Sequence, residues 1–415
     1  MFRKDSIQVF EHSFLPIGEK GFDKRHFVAL SKLNAFHDYQ YFDLKYNGVV
    51  FKQFVGVIQV DNLTIEILPK IDRHEKEDKE NKSKWRDVLL EMLKVTRKLK
   101  IQQIGQANVS RQSIHLLDIY IEWFLSEVQL LIHQGLIKQY YKETGNVKAL
   151  KGKLEFAGHI QKNLVHKERF YTTHQVYEKD HLIHQIIGQA LEIIATLSKG
   201  NYLYSKCKTV QLNFPEVKSI KANENTFTKI PKSRKTAPYE IALAIARLII
   251  LNYAPNVSSG SEKMLALLFD MNSLWEEYIL IKLKSACQDN EINVYGQSSK
   301  NFWNSVNIRP DIVLEKDEEV ILIIDTKWKN IDQSTPSTHD LRQMYVYNEY
   351  WDSKKSLLLY PSNNLNEKII QFNPFKSLAG KENHHKCGLG KLSVFNSDNK
   401  LNESIGLEIL KMIQS

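Results

Sequence analysis

Cysteine is almost missing from this chain: three in 415 residues, Cys207, Cys287 and Cys387, far apart and odd in number. That excludes a disulfide framework and any CxxC metal pair, and it suits a reducing compartment. Long apolar runs are missing as well. Met1-Phe2-Arg3-Lys4-Asp5 leads into no continuous hydrophobic segment, so no signal peptide is expected. The longest membrane-like stretch, residues 241–251, is too short for a bilayer and carries Arg247. A soluble, cytoplasmic protein without membrane association is the expectation.

There is also no phosphate-cradling GxxxxGK[ST] loop. The glycines between Gly145 and Lys153 are wrongly spaced, and Gly388-Leu389-Gly390-Lys391-Leu392 has no Ser or Thr after the lysine. The chain is therefore expected to bind no nucleotide by that route. No GxSxG elbow is present for a serine hydrolase. His384-His385 with Cys387 has no second ligand pair at finger spacing and reads as a polar loop.

A globular composition remains, 42% hydrophobic and 25% charged, with a net charge of +9 and a pI near 9.0. A basic surface of this kind suits a polyanionic partner. The length predicts about two or three domains.

The first seventy residues read as β-rich. Residues 7–10 and 49–60 are strand-like, Asp61-Asn62 is a turn signal, and residues 63–68 return with period two. Residues 71–87 are nearly all charged or polar and read as a linker. Helical periodicity then governs 88–260, with amphipathic segments at 116–137, 180–198 and 241–251. Basic turns at 148–153 and 229–235 read as solvated loops or phosphate contacts. From Ser273 the order is helix, strand, strand, helix, strand, where Ser273 and Glu276 fit a capping box. The last strand, 357–360, is expected to end at Pro361. The chain as a whole is expected to be an α+β multidomain protein: a β-rich N-terminal domain (1–70), a charged linker (71–87), a mainly helical middle region (88–260) and a C-terminal α/β domain (261–415).

Arg309-Pro310-Asp311 and Asp325-Thr326-Lys327 bracket two apolar runs, 312–314 and 320–324, around a charged turn. Side chains alternate along a strand, so Asp325 and Lys327 share a face. Two carboxylates and an amine converging there can hold a hard divalent cation such as Mg2+, with Asp311, Asp325 and the backbone carbonyl of Thr326 as ligands. Such an ion polarises a phosphate and acidifies a water. Lys327 can position or deprotonate the nucleophile, or stabilise the charge that develops. A helix bearing Glu276 precedes the hairpin, and one bearing Asp340, Gln343 and Tyr347 on one face follows it. These are the parts of a PD-(D/E)xK restriction-endonuclease-like core, in order.

Further motifs extend the pattern: 54–60 (Phe-Val-Gly-Val-Ile-Gln-Val), 65–70 (Ile-Glu-Ile-Leu-Pro-Lys), Leu150-Lys151-Gly152-Lys153-Leu154, Leu274-Trp275-Glu276-Glu277-Tyr278 and 340–347 (Asp-Leu-Arg-Gln-Met-Tyr-Val-Tyr). Together they resemble the McrC family, the nuclease subunits of McrBC-type modification-dependent, 5-methylcytosine-specific restriction systems, over nearly the full length. The resemblance implies a Mg2+-dependent DNA endonuclease subunit with Asp311, Asp325 and Lys327 catalytic. It implies that Glu276 supports the metal site and that Gln343 orients Lys327 or a DNA phosphate. It further implies double-stranded, methylated DNA as substrate and a separate McrB-like AAA+ GTPase ring whose hydrolysis this chain stimulates, docking through residues 1–70 and nearby helical loops. One site cuts one strand, so a double-strand break implies two copies or sequential nicking. The alternatives are a non-catalytic adaptor of the GTPase, and a repair or antiphage nuclease with a different motor.

Overall fold

The computed structural model describes residues 5–36, 41–60, 63–72, 78–96, 116–255, 263–329, 336–365, 370–376 and 384–414. It is a mixed α/β chain of two compact units. One comprises Gln102–Leu267 with Met1–Arg3, and the other comprises Lys4–Ile101 with Leu268–Ser415. Segments from the two ends of the sequence thus share one unit, so its boundaries differ from those the composition suggested.

Along the chain, β1 (Asp5–Phe10) and β2 (Phe14–Pro16) precede α1 (Lys24–Phe36), β3 (Phe42–Lys45), β4 (Gly48–Phe51), β5 (Phe54–Val60) and β6 (Leu63–Leu68). The continuous strand expected over 49–60 is broken into β4 and β5, which join different sheets. β5 and β6 form an antiparallel pair, β1 runs parallel to β6, and every residue of β6 is buried. The expected turn at Asp61-Asn62 lies outside the described residues. Helix α2 (Lys79–Val95) occupies half of the stretch expected to be linker. Asp78 caps it by accepting the Asn81 N–H at 2.8 Å. Its apolar stripe, Trp85, Val88, Leu89, Met92 and Leu93, is buried. The charged residues that suggested a linker form its polar face.

In the other unit, α3 (Leu116–Gln134) is followed by β7 (Gln139–Val147), β8 (Lys153–Leu154), α4 (Phe156–Asn163) and β9 (Phe170–Glu178). The helices α5 (Leu182–Leu197), α6 (Tyr202–Asn213), α7 (Glu224–Thr228) and α8 (Glu240–Leu251) then precede β10 (Tyr253–Pro255) and β11 (Lys263–Asp270). Helices α3, α5, α6 and α8 pack together, and three of them fall on the segments read as amphipathic, whereas α6 is not among them. The three-stranded sheet β7–β9–β8 was not expected. β7 has no buried residue and β9 only one, Thr172, so neither shows the apolar alternation that marks a half-buried strand.

The C-terminal run is α9 (Met271–Ala286), β12 (Asn293–Gly296), β13 (Lys300–Trp303), β14 (Val306–Ile308), β15 (Ile312–Lys316), β16 (Glu319–Thr326), α10 (Thr338–Trp351), β17 (Lys355–Ser362), β18 (Ile370–Pro374), β19 (Lys386–Ser393) and α11 (Ile405–Gln414). Among the described residues six strands make one sheet in the order β12–β15–β16–β17–β19–β18. β15 and β16 form a hairpin, closed by Asp317 and Glu318 in left-handed conformation (φ 52° and 65°). β16 and β17 are parallel, so their connection must cross over, and α10 is that crossover. β17 continues through Pro361 to Ser362 instead of ending there. Val313, Ile323 and Leu358 pack under Met344, Tyr347 and Trp351 of α10. Helix α9 contacts β12 and β16, and packs against α2 and α11. All three cysteines are buried and free, and no helix among the described residues is long and apolar enough to cross a membrane.

Candidate active site

The hairpin and the parallel neighbour fix where the acids stand. Asp311 directly precedes β15, and Asp325 is the penultimate residue of β16, one position beyond the pair Ile312↔Ile324. Asp325 also pairs with Leu358 across the parallel ladder. The Lys327 backbone N–H donates to the Leu359 carbonyl at 2.9 Å, extending the ladder past the strand's end. The adjacent strands therefore deliver both carboxylates to one end of the hairpin.

Asp311 Oδ2 accepts the backbone N–H of Thr326 at 2.6 Å and its hydroxyl at 3.0 Å. Lys327 Nζ stands 2.7 Å from the buried Asp325 Oδ2, a charge-assisted contact at hydrogen-bond distance. The Asp325 residue is only 2% exposed. Burial first, and then the neighbouring Asp311, push the Asp325 carboxyl up to about 6. Asp311 is also raised by burial, although the two bonds from Thr326 and the charge of Lys327 hold it back. Burial opposes the Lys327 ammonium, but Asp325, Asp340 and Asp311 outweigh it and hold its pKa above the ordinary value.

Glu276 belongs to the same electrostatic cluster. Helix α9 begins at Met271 with Asp270 as its cap, whose side chain accepts the Ser273 N–H at 3.0 Å. Ser273 is thus inside the helix, and the capping box with Glu276 expected from the sequence does not form. Glu276 Oε1 instead accepts Gln297 Nε2 at 2.5 Å. Its carboxyl is pushed up to about 7 by burial, then by Asp311 and also by Asp325.

Gln343 donates to the Tyr347 hydroxyl at 2.7 Å, and that hydroxyl donates to the Arg309 carbonyl at 2.9 Å. In this structure Gln343 is therefore bonded to the residue that holds the start of the Pro310-Asp311 segment, and Tyr347 joins core packing to a polar anchor. Asp340 has its N–H on the Ser337 cap and its carboxylate 2.9 Å from Lys329 Nζ. That pair and the cap hold its pKa below the ordinary range despite burial.

One contact had no sequence signal. Trp328, next to Lys327, donates its indole N–H to the fully buried Glu11 at 2.7 Å and its backbone N–H to Asn272 Oδ1 at 3.3 Å. Its ring lies against Trp85 and Trp275.

Among the described residues no group of three His, Cys, Asp or Glu side chains is placed to hold a metal ion, so any ion here would rest on the two aspartates and backbone or water oxygens. His385 Nδ1 lies 3.0 Å from the Ser353 carbonyl and its Nε2 3.2 Å from Glu349. The carboxylates at the hairpin's end offer only oxygens, and Asp311 raises the affinity of Asp325 for a proton. This chemistry fits a hard divalent cation that takes few protein ligands and completes its shell with water.

The family model for the McrBC 5-methylcytosine restriction system component matches residues 49–361. That span contains Glu276, Asp311, Asp325, Lys327 and Gln343. The type IV methyl-directed restriction enzyme EcoKMcrBC of Escherichia coli (strain K12) is 24% identical over 287 residues, which cover 63% of this chain and 81% of that protein. A chain in the refined half-complex from the tetradecameric assembly of Thermococcus gammatolerans McrB AAA+ hexamers with bound McrC shares the fold. Its TM-score is 0.67 at 17% identity, covering 98% of this chain and 100% of that one. A chain of the Thermococcus gammatolerans McrBC complex gives a TM-score of 0.51 at 18% identity, over 68% and 88%. The chain belongs to the McrBC family of 5-methylcytosine restriction system components, as a McrC-type member.

Proposed function

We propose that this chain is the Mg2+-dependent endodeoxyribonuclease subunit of a GTP-dependent, modification-dependent restriction complex, with a C-terminal PD-(D/E)xK core. The observation that carries the reading is the delivery of Asp311 and Asp325 to one end of the β15–β16 hairpin, with Lys327 Nζ 2.7 Å from Asp325 and Glu276 of α9 within electrostatic reach of both. Asp311, Asp325 and the Thr326 carbonyl would hold the ion, and Glu276 would support it. When bound, Mg2+ supplies Lewis-acid polarisation of the scissile phosphate and a more acidic attacking water. Lys327 keeps its proton, so its part is to stabilise negative charge developing on the phosphate rather than to act as base.

The partner reading rests on the family and on the missing P-loop. Solved structures similar to this chain come from an assembly of McrB AAA+ hexamers with bound McrC and from a McrBC complex. β5 and β6, expected as partner surface, bury nearly every residue. We place the docking surface instead on the β7–β9–β8 module, where Phe156, Ile160, Leu164 and Val165 are exposed.

Substituting Asp325→Ala is expected to abolish cleavage of methylated duplex DNA by the assembled complex while leaving ring binding and GTPase stimulation intact. Undiminished cleavage by the variant overturns the nuclease assignment. Loss of all three activities in a folded variant overturns the division of labour.

A further inference from the structure

Beside the acid cluster, a cleft of about 650 Å3 opens between the β13–β14 hairpin and α10, with Phe302 on one side and Arg309, Arg342 and Gln343 in its lining. Its walls are fastened to each other. Lys300 Nζ donates to the Tyr350 carbonyl at 2.8 Å and lies 5.0 Å from the centre of the Trp351 ring. The Phe302 and Tyr350 rings pack at 5.3 Å. The floor is held by the Gln343–Tyr347–Arg309 hydrogen-bond chain described above.

The charges around the cleft fall into two classes. Lys327 and Lys329 are already matched by Asp325 and Asp340. Arg309 and Arg342 are exposed, and among the described residues neither has an ion pair or a side-chain hydrogen bond. Arg309 interacts at longer range with Glu276 and Asp311 without pairing with either, so Arg342 is the unmatched guanidinium, and the two together on a fixed cleft make a favourable seat for an anion. Their planar fork suits the two free oxygens of a phosphodiester better than it suits a point charge.

We propose that this cleft seats a backbone phosphate of the DNA strand being cut, at a nucleotide neighbouring the scissile one, with Arg342 and Arg309 as its ligands. The inference rests on the nuclease reading and adds to it the groups that hold the strand in register. Phosphate contacts position a duplex without reading its sequence. The sequence preference of the complex therefore does not come from this cleft.

The test is fluorescence anisotropy of the full chain with a short fluorescein-labelled duplex in EDTA, titrated with KCl. One fewer phosphate contact lowers the steepness of log K against log salt by about one. Arg342→Ala is thus expected to bind roughly tenfold more weakly near 0.1 M salt, equally for unrelated sequences. Arg342→Lys keeps the charge and is expected to keep the slope. Arg342 is on the surface, so a circular dichroism spectrum matching the unsubstituted chain is expected for both variants. An unchanged slope for Arg342→Ala, or no salt-dependent binding by the unsubstituted chain, overturns the phosphate seat. Cleavage by the assembled complex, and its loss in Asp325→Ala, judges the nuclease reading separately.

Discussion

Glu11 Oε1 accepts the indole N–H of Trp328 at 2.7 Å, joining the end of the first strand's segment to the residue after Lys327 across 317 positions of sequence. The same oxygen accepts the Lys70 backbone N–H at 2.8 Å, so one carboxyl ties together β1, the exit of β6 and the exit of β16. The N-terminal strands are thus part of the framework of the candidate site. Glu11→Ala would leave two N–H donors without a partner inside a packed region. It is expected to cost roughly 3 kcal/mol, read as a lower urea midpoint, and to reduce cleavage through displacement of Trp328. A variant as stable and active as the parent would show that this bond does not matter.

The same carboxyl makes stability depend on pH. Burial pushes Glu11 up to about 8, while in the unfolded chain it ionises near its ordinary 4.5. Its folded pKa is raised, so its contribution is fully present below about 4.5 and is lost as pH rises through about 8. In that window the loss approaches about 1.4 kcal/mol per pH unit. Glu11→Gln keeps the accepting oxygen and removes the titration. Thermal melts from pH 5 to 9 should show the parent losing stability relative to Glu11→Gln, and parallel curves would refute the assignment.

A metal requirement at the acid cluster carries its own pH signature. Asp325 and Glu276 titrate at about 6 and about 7 without an ion. Mg2+ must displace those protons, so the Mg2+ concentration giving half-maximal cleavage should rise as pH falls through that range. Glu276→Gln removes one proton from the competition and should flatten the dependence while lowering maximal rate. Chelation with EDTA should stop cleavage and excess Mg2+ restore it. A half-maximal concentration that does not move with pH would separate these carboxyls from the metal.

Lys327 offers a test of charge against proton transfer. Its ammonium faces Asp325 at 2.7 Å and is held protonated by the acids around it. Lys327→Arg keeps a cation with altered geometry, and Lys327→Met removes it. If the lysine stabilises charge, arginine should retain part of the rate and methionine should lose on the order of a hundredfold or more. Equal, complete loss in both variants would favour a role that needs the amine itself.

Much of this was legible before any fold was known, for identifiable reasons. The runs at 312–314 and 320–324 are apolar because β15 and β16 are interior strands, and their bounding acids mark where the strands leave the core. Helices α5 and α8 were readable from their apolar periodicity, and α3, buried nearly all round, from its long apolar run. Helix α2 was only half legible, since its first turns are lysine and glutamate and its stripe starts at Trp85. The β7–β9–β8 sheet gave no signal because it buries little on either face. Placement of Glu276 required knowing that Asp270 caps α9, and propensity alone lets Ser273 compete for that position. The Glu11–Trp328 bond joins distant segments, and nothing local to either residue encodes it.

Gln343 and Tyr347 allow two kinds of role to be told apart. Gln343 donates to the Tyr347 hydroxyl, and that hydroxyl donates to the Arg309 carbonyl just before Pro310-Asp311. If the pair acts by holding this segment, Tyr347→Phe removes the terminal bond and should be the more harmful change. It is expected to cost about 1 kcal/mol of stability and roughly tenfold in kcat, since small displacements of a positioned carboxylate are expensive. Gln343→Ala leaves the Tyr347–Arg309 bond in place and should cost less. If Gln343 instead contacts Lys327 or a DNA phosphate during the reaction, the order reverses and Gln343→Ala loses more rate with stability unchanged. Measuring kcat, KM and the urea midpoint for both variants decides between a positioning residue and one that touches the substrate.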